Sequence, residues 1–198
     1  YKRQLQTAVR TYVHPARASV TIVGTVHVAT SDYYRAIAAK LPAFDSVLIE
    51  GVTRRASATP RVASYDYAIE LGLVQQTQAL DLRRLTNVIN ADLDGTAFDR
   101  AAKAQATPPI EPASTTELAS GLLSLATDRA TSLATEEEYA IRARHEVVQR
   151  ALRHRLARGD ASIALLYGIA HGPDLHARLL KLGFREQTTE WLDAFVVE

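Results

Sequence analysis

The sequence contains no cysteine. That excludes disulfides, a cysteine nucleophile, thiolate-ligated zinc and iron–sulfur clusters. Any metal site must be built from histidine and carboxylates. Methionine is absent as well, where a few are usual. Charge of one prevailing sign is also missing: 23 basic against 22 acidic residues leave a net charge of +1. Bulk charge therefore supplies no drive toward nucleic acid or an anionic membrane surface. No apolar run approaches the roughly 18 residues that a membrane-spanning helix needs, and no signal-peptide pattern is present. The chain opens on Tyr1, which reads as a processed or cut end. Export, or a place in a bacterial cell envelope, would require a signal upstream of it. The sequence has no Gly-x-Ser-x-Gly, no phosphate-binding Gly-rich loop and no dinucleotide fingerprint, so the serine hydrolase, P-loop and Rossmann classes lack support.

What remains is a chain of 198 residues, 47% hydrophobic and 23% charged. Those values exclude wholesale disorder and allow a sizeable core without staples. Residues 1–198 are expected to form a single domain. Alternation through Leu5, Thr7, Val9, Thr11 and Val13, then a polar break and Ser19 to Val23, predicts an N-terminal β-hairpin. Thr30, Ser31 and Asp32 offer caps for a helix running to Leu41, where Pro42 stops it. Ser46–Ile49 and Ser162–Tyr167 are short continuous apolar runs, as expected of strands buried on both faces. Further helices are expected over 64–75, 115–134, 136–158 and 173–182, with Gly159 and Gly183 closing the last two. Short strands are expected at 78–82 and 191–197. The Ala/Pro-rich stretch 101–114 lacks periodicity and reads as a mobile loop or linker. Strands alternating with helices imply an α/β fold: a mixed, largely parallel sheet flanked by helices, with the hairpin at its start.

Three ionisable residues share one local context. His27 follows Val20–Val26, Glu50 follows Val47–Ile49, and His171 follows Leu165–Ala170. Each stands at the carboxyl end of an apolar strand, and in open α/β sheets sites form in the crevice beyond those ends. A single histidine there often does no more than cap its strand. Two Gly-x-x-His elements and a strand-end Glu form a pattern that capping does not require. Two imidazoles and a carboxylate suit a divalent ion such as zinc, manganese or cobalt.

Arg144 is the other anomaly. At 100° per residue on a helix, Ala140, Ile141, Val147, Val148, Ala151 and Leu152 share one face, with Arg144 near its centre. An arginine there either snorkels at the stripe edge or pairs with an anion, and Glu50 is its natural partner. Asp92-Leu93-Asp94-Gly95 lacks the full spacing of a calcium loop and reads as a solvated turn. His145-Glu146 is not a zincin motif, because Gln149 stands where a histidine would be needed. His14, His154 and His176 read as surface residues.

Gly24-Thr25-Val26-His27, Leu48-Ile49-Glu50-Gly51, Arg144 and Tyr167-Gly168-Ile169-Ala170-His171, in this order, make the chain resemble the TraB/GumN/TIKI family. That family lies within the erythromycin-esterase-like and ChaN-like group. The segment from Gly172-Pro173-Asp174-Leu175 through Leu182-Gly183-Phe184 adds to the likeness, which extends from about residue 18 to 197. The resemblance implies a mixed α/β sheet with its site at the strand ends. It implies that the two Gly-x-x-His histidines and the glutamate are functional. Some members are described as metal-dependent proteases, others as esterase-like or as binding haem iron. The family's usual residue after the helical arginine is Asn or Asp, whereas this chain has His145.

The expectation is therefore a metal-dependent hydrolase, with a protease as one form, acting on a peptide or small molecule. His27, His171 and Glu50 would hold the divalent metal (Mn, Co or Zn). Glu50 would alternatively serve as the base on metal-bound water, and Arg144 would orient Glu50 or stabilise an oxyanion. The alternatives are a metal-free esterase-like hydrolase using the same residues, and a non-catalytic module binding haem iron or a peptide.

Overall fold

The computed structural model describes residues 3–16, 18–51, 68–93 and 134–197. In chain order the strands are β1 (Arg3–Val13), β2 (Ser19–Thr25), β3 (Val28–Ala29), β4 (Ser46–Ile49), β5 (Val74–Gln75), β6 (Val88–Asn90), β7 (Ser162–Gly168) and β8 (Arg185–Val197). The helices are α1 (Ser31–Lys40), α2 (Gln76–Ala79), α3 (Ala134–Ala157) and α4 (Gly172–Lys181). Six strands form one sheet in the order β6-β4-β7-β2-β1-β8. The β6, β4, β7 and β2 segments run parallel, while β1 lies antiparallel between β2 and β8. This is the mixed, largely parallel α/β sheet that the sequence predicts, with the β1–β2 hairpin at its start.

Because β2, β4 and β7 are central, both faces are buried and most of their side chains are apolar, with Thr21, Thr25 and Ser46 buried polar residues among them. Val23, Val47, Ala164 and Leu166 pack with Tyr33, Tyr34, Ile37 and Leu41 of α1 and the turn after it. Val20, Ile22, Leu48, Ile163, Leu165 and Tyr167 pack on the other face with Val148 and Leu152 of α3 and Leu175 and Leu179 of α4. The alternation of Ala164 and Leu166 against Ile163 and Leu165 is the period of two expressed as layers. Thr30 caps α1, accepting a hydrogen bond from Tyr33 N at 3.3 Å. Gly183, at φ +87°, ends α4. There Phe184 N reaches back to the Leu179 carbonyl at 3.1 Å in a Schellman-type closure.

Several expectations are corrected. Residues 78–82 are not a strand: Gln76–Ala79 is helical, Leu82–Arg84 is a 3₁₀ turn, and Asp81 caps that turn by accepting from Arg83 N. Local capping prevails there over the apolar Leu80 and Leu82, and Leu80 is buried as a turn residue. Of the expected 64–75 helix, 68–70 are helical but Val74–Gln75 pair with β3, and 64–67 lie outside the described residues. The last strand begins at Arg185, six residues before the expected start at 191. It is an edge strand whose polar first half is exposed, so no hydrophobic pattern marks it. The expected helix over 115–134 and the loop at 101–114 lie outside the described residues, apart from Ala134, the first residue of α3. Among the described residues no helix is long and apolar enough to cross a membrane.

Leu165 is 1% exposed in the central β7. Leu165→Ala is expected to lower the unfolding free energy by about 2–5 kcal/mol in urea titration without altering the m-value. A loss below about 1 kcal/mol would mean that this layer is not close-packed.

Candidate functional site

Four adjacent parallel strands each deliver one candidate at the carboxyl end: His27 beyond β2, His171 beyond β7, Glu50 beyond β4 and Asp92 beyond β6. Glu50 is placed by the parallel ladder, since its N–H donates to the Leu166 carbonyl at 3.1 Å. Its Oε2 accepts from Gly168 N–H at 2.7 Å. A Cβ at position 168 would stand 3.3 Å from that oxygen, so glycine lets the β7 backbone approach this closely. The other oxygen, Oε1, faces His171 Nε2 at 3.1 Å and also accepts from Arg144 Nη2. His171 sits in the 3₁₀ turn Ile169–His171 between β7 and α4 and is 2% exposed.

Arg144 is not a snorkelling residue. It bridges Glu50 and Asp92, donating to Asp92 from Nε at 2.9 Å and from Nη2 at 2.8 Å. Asp92 also accepts from Gly51 N–H at 2.9 Å and from Leu93 N–H at 2.8 Å, and its side chain is 0% exposed. The solvated-turn reading of Asp92 is therefore wrong. The residue is a buried anion, held by a bidentate guanidinium and two backbone donors. Its sequence signal was the proximity to a short strand, β6, whose three residues are too few for a periodicity to register. Tyr167 packs edge-on to His171 and donates from its hydroxyl to the Ala91 carbonyl at 2.7 Å, fixing the loop that carries Asp92.

His145 is the second residue that sequence reasoning passed over. It is fully buried, and its Nε2 lies 2.8 Å from His171 Nδ1. The rings meet edge to face with centroids 5.0 Å apart. Its Nδ1 is 2.5 Å from Asp174 Oδ2 but makes no aligned hydrogen bond. Asp174, in the first turn of α4, accepts from Arg178 Nε at 2.5 Å, and Arg178 is in turn braced by Glu146 and Gln149. The row thus reads Asp92, Arg144, Glu50, His171, His145, Asp174, buried at Asp92 and partly exposed at Asp174.

His27 is half-buried on the turn after β2, next to the β7 end. Two adjacent tyrosines of α1 shape that turn: Tyr33 donates to the Gly24 carbonyl at 2.9 Å and Tyr34 to the Val26 carbonyl at 2.7 Å. The His27 carbonyl itself accepts from Gln76 N at 2.8 Å. The hydrogen-bonded row around Glu50 reaches Asp92 through Arg144 and His145 through His171. Among the described residues no three His, Asp or Glu side chains gather as a ready-made metal site. His154 is exposed as expected, whereas His176 is half-buried against Tyr12, with Tyr12 Oη and His176 Nδ1 2.8 Å apart.

Burial opposes a charge on Glu50. The hydrogen bond and charge of His171, the Arg144 guanidinium and Gly168 N–H outweigh that and hold its carboxyl near 2. Burial and the neighbouring His171 push His145 down to about 4, against the opposing pull of Asp174. Burial and the nearby Asp92 and Glu50 carboxylates push the Tyr167 hydroxyl up, so it stays a donor. Partial burial works against the Asp174 charge, but Arg178 and His145 keep its carboxyl below the ordinary range. The arrangement provides a fixed carboxylate against an imidazole, which can exchange a proton, flanked by Arg144 and Asp92 on one side and His145 on the other.

No family model, curated protein or solved structure matches the chain.

Asp92→Ala leaves half of the Arg144 guanidinium unpaired in a buried setting and is expected to cost about 3–5 kcal/mol. Asp32→Ala, which breaks the exposed Arg35 pair, should cost no more than about 1 kcal/mol in the same chemical denaturation. Equal losses would contradict the burial of the Asp92 pair. Both shifted acids make the unfolded chain bind more protons than the folded one. His145 destabilises as pH falls from its ordinary 6.5 toward about 4, and Glu50 as pH falls from 4.5 toward about 2. Melting temperature is therefore expected to fall in two stages on acidification, with His145→Phe flattening the upper stage. A melting temperature constant from pH 7 to pH 4 would refute that assignment.

Proposed function

We propose that the chain is a hydrolase of esters or amides that works at the carboxyl ends of β2, β4, β7 and β6, with Glu50 and His171 as its acid–base pair. The observation that carries this reading is the 3.1 Å contact between Glu50 Oε1 and His171 Nε2, held rigid by Arg144, Gly168 and His145. The resemblance to the TraB/GumN/TIKI family and its esterase-like relatives points the same way.

In this mechanism a water entering beside the pair loses a proton to Glu50 as its oxygen bonds to the substrate carbonyl carbon. The bond to the leaving oxygen or nitrogen then breaks, and His171 supplies the proton that the departing group needs. Glu50, whose carboxyl is held near 2, is a weak base and keeps the acquired proton only briefly. The contact with His171 is the path by which that proton returns to the imidazole. Arg144 keeps the Glu50 oxygens aimed and favours the ionised carboxylate. Asp92 holds Arg144 in place.

A second reading keeps a divalent ion such as zinc, manganese or cobalt on His171 and Glu50, with His27 completing the set. The favouring observation is that an imidazole nitrogen and a carboxylate oxygen, both donors that such ions take, stand 3.1 Å apart. When bound, such an ion would supply Lewis acidity and a water more readily deprotonated. His171 Nε2 and Glu50 Oε1 would be its donors.

Glu50→Gln and His171→Gln are expected to lower the hydrolysis of chromogenic esters and peptides by at least about 100-fold, with Arg35→Ala unchanged. Wild-type rates in both site variants would sink the hydrolase reading. Activity that survives exhaustive chelation selects the metal-free form. Activity lost on chelation and restored by zinc, manganese or cobalt selects the second reading.

A further inference from the structure

Arg144 is saturated in charge but not in hydrogen bonds. A guanidinium presents its N–H donors in a planar fork. The Nε–Nη2 edge of that fork holds Asp92, at 2.9 and 2.8 Å, and Nη2 also donates to Glu50 Oε1. Glu50 does not close the remaining edge, because its other oxygen is held 2.7 Å from Gly168 N. Nη1 therefore keeps both of its N–H groups without a partner among the described residues. It is not sealed in. Among the described residues, the one enclosed side-chain nitrogen or oxygen left without a partner is His145 Nδ1, and the Arg144 side chain is 12% exposed. Nη1 thus opens at the strand-end site, across the same guanidinium from the nitrogen that holds Glu50.

Charge decides what this nitrogen can take. One guanidinium faces two carboxylates, so Arg144, Glu50 and Asp92 together carry an excess of negative charge. A further full anion on Nη1 would meet that excess in a partly buried setting, where screening is weak. A neutral carbonyl oxygen meets no such opposition.

We propose that Arg144 is itself a catalytic residue: Nη1 receives the carbonyl oxygen of an uncharged acyl substrate, and the guanidinium charge passes from Glu50 to the oxyanion as water adds. This role rests on the hydrolase reading, with Glu50 as the base. An O–H bond of the water breaks and its proton goes to the Glu50 carboxylate. The water oxygen bonds to the carbonyl carbon, and the π pair of the C=O bond moves onto the carbonyl oxygen. Glu50 becomes neutral in the same step in which that oxygen becomes negative. The number of negative charges beside Arg144 does not change, only their place, from Nη2 to Nη1. The donors stand ready before the reaction, which is the condition for an effective oxyanion site. Collapse of the tetrahedral species returns the pair to the C=O bond and expels the leaving group, which takes its proton from His171. The Glu50 proton then passes to His171.

The test replaces the carbonyl oxygen by sulfur, a poor hydrogen-bond acceptor. The full chain is assayed on 4-nitrophenyl acetate and on its thiono counterpart, O-(4-nitrophenyl) thioacetate, which share a leaving group. Wild type is expected to favour the oxygen ester by about 100-fold more than hydroxide does in free solution. Arg144→Ala is expected to bring the ratio back to that of hydroxide. Loss of Glu50 alignment slows both esters alike and cancels in the ratio, so a merely structural role would not move it. Should Arg144→Ala fail to fold, wild type alone decides, because a wild-type ratio equal to that of hydroxide overturns the proposal. An elevated ratio that persists in Arg144→Ala overturns it as well. The charge argument has its own arm: 4-nitrophenyl hydrogen succinate should be hydrolysed about 10-fold or more slowly than its neutral methyl ester, and a faster anionic ester contradicts the proposal. A chain that hydrolyses none of these esters refutes the hydrolase reading and this role with it. Hydrolysis of both esters at the ratio of hydroxide refutes this role alone.

Discussion

A guanidinium on the core side of a helix, beyond the ends of a parallel sheet, must find anions there or be expelled. Arg144 finds them on two strands at once, Glu50 after β4 and Asp92 after β6. Those strands are neighbours with parallel register from Val47–Val88 to Ile49–Asn90, so the two carboxylates arrive side by side. Removing either would leave a buried charge short of its counter-ion, a far larger penalty than the pair's own net contribution to folding. The cluster therefore ties α3 to the sheet by constraint more than by gain. With Glu50 pinned by Arg144 on one side and Gly168 N–H on the other, the imidazole that touches it inherits a fixed frame.

The same economy governs the polar row as a whole. A buried polar network is favourable only when every member is satisfied. Here Asp92 is saturated by guanidinium and backbone donors, and Tyr167 closes its loop. The opposite end is left less complete, at His145 Nδ1. The row thus runs from a sealed end at Asp92 to a half-exposed end at Asp174.

Much of this was legible in residue order, for physical reasons that can be named. Continuous apolar runs marked β4 and β7 because central parallel strands bury both faces. Their ends marked Glu50 and His171 because sites collect there. Arg144 stood out because an arginine on an apolar stripe demands an anion. Asp92 did not stand out, because a short strand such as β6 carries no period and an acidic residue near Gly95 is indistinguishable from turn chemistry. His145 was hidden differently: at 100° from Arg144 it falls off the centre of the apolar stripe, and a histidine there looks like any half-exposed helix residue. It is enclosed by His171 of the turn after β7 and by Asp174 in the first turn of α4. The 78–82 segment misled because two leucines at spacing two imitate a strand, while Asp81 and backbone hydrogen bonds make it a turn.

Arg144 and His145 are consecutive, and their side chains go to two different halves of the row. Val148 and Leu152, one and two turns on, lock the same helix into the sheet layer. The helix thus works as a ruler whose zero is set by the core and whose marks are read at the site. An added residue between His145 and Val148 would rotate both marks by about 100° against the core and advance them by about 1.5 Å, losing Glu50 and His171 together. An added residue after Leu152 would leave both marks in place relative to the core positions Val148 and Leu152. Length variation along α3 is therefore constrained not by the ends of the helix but by the short span between two of its side-chain anchors.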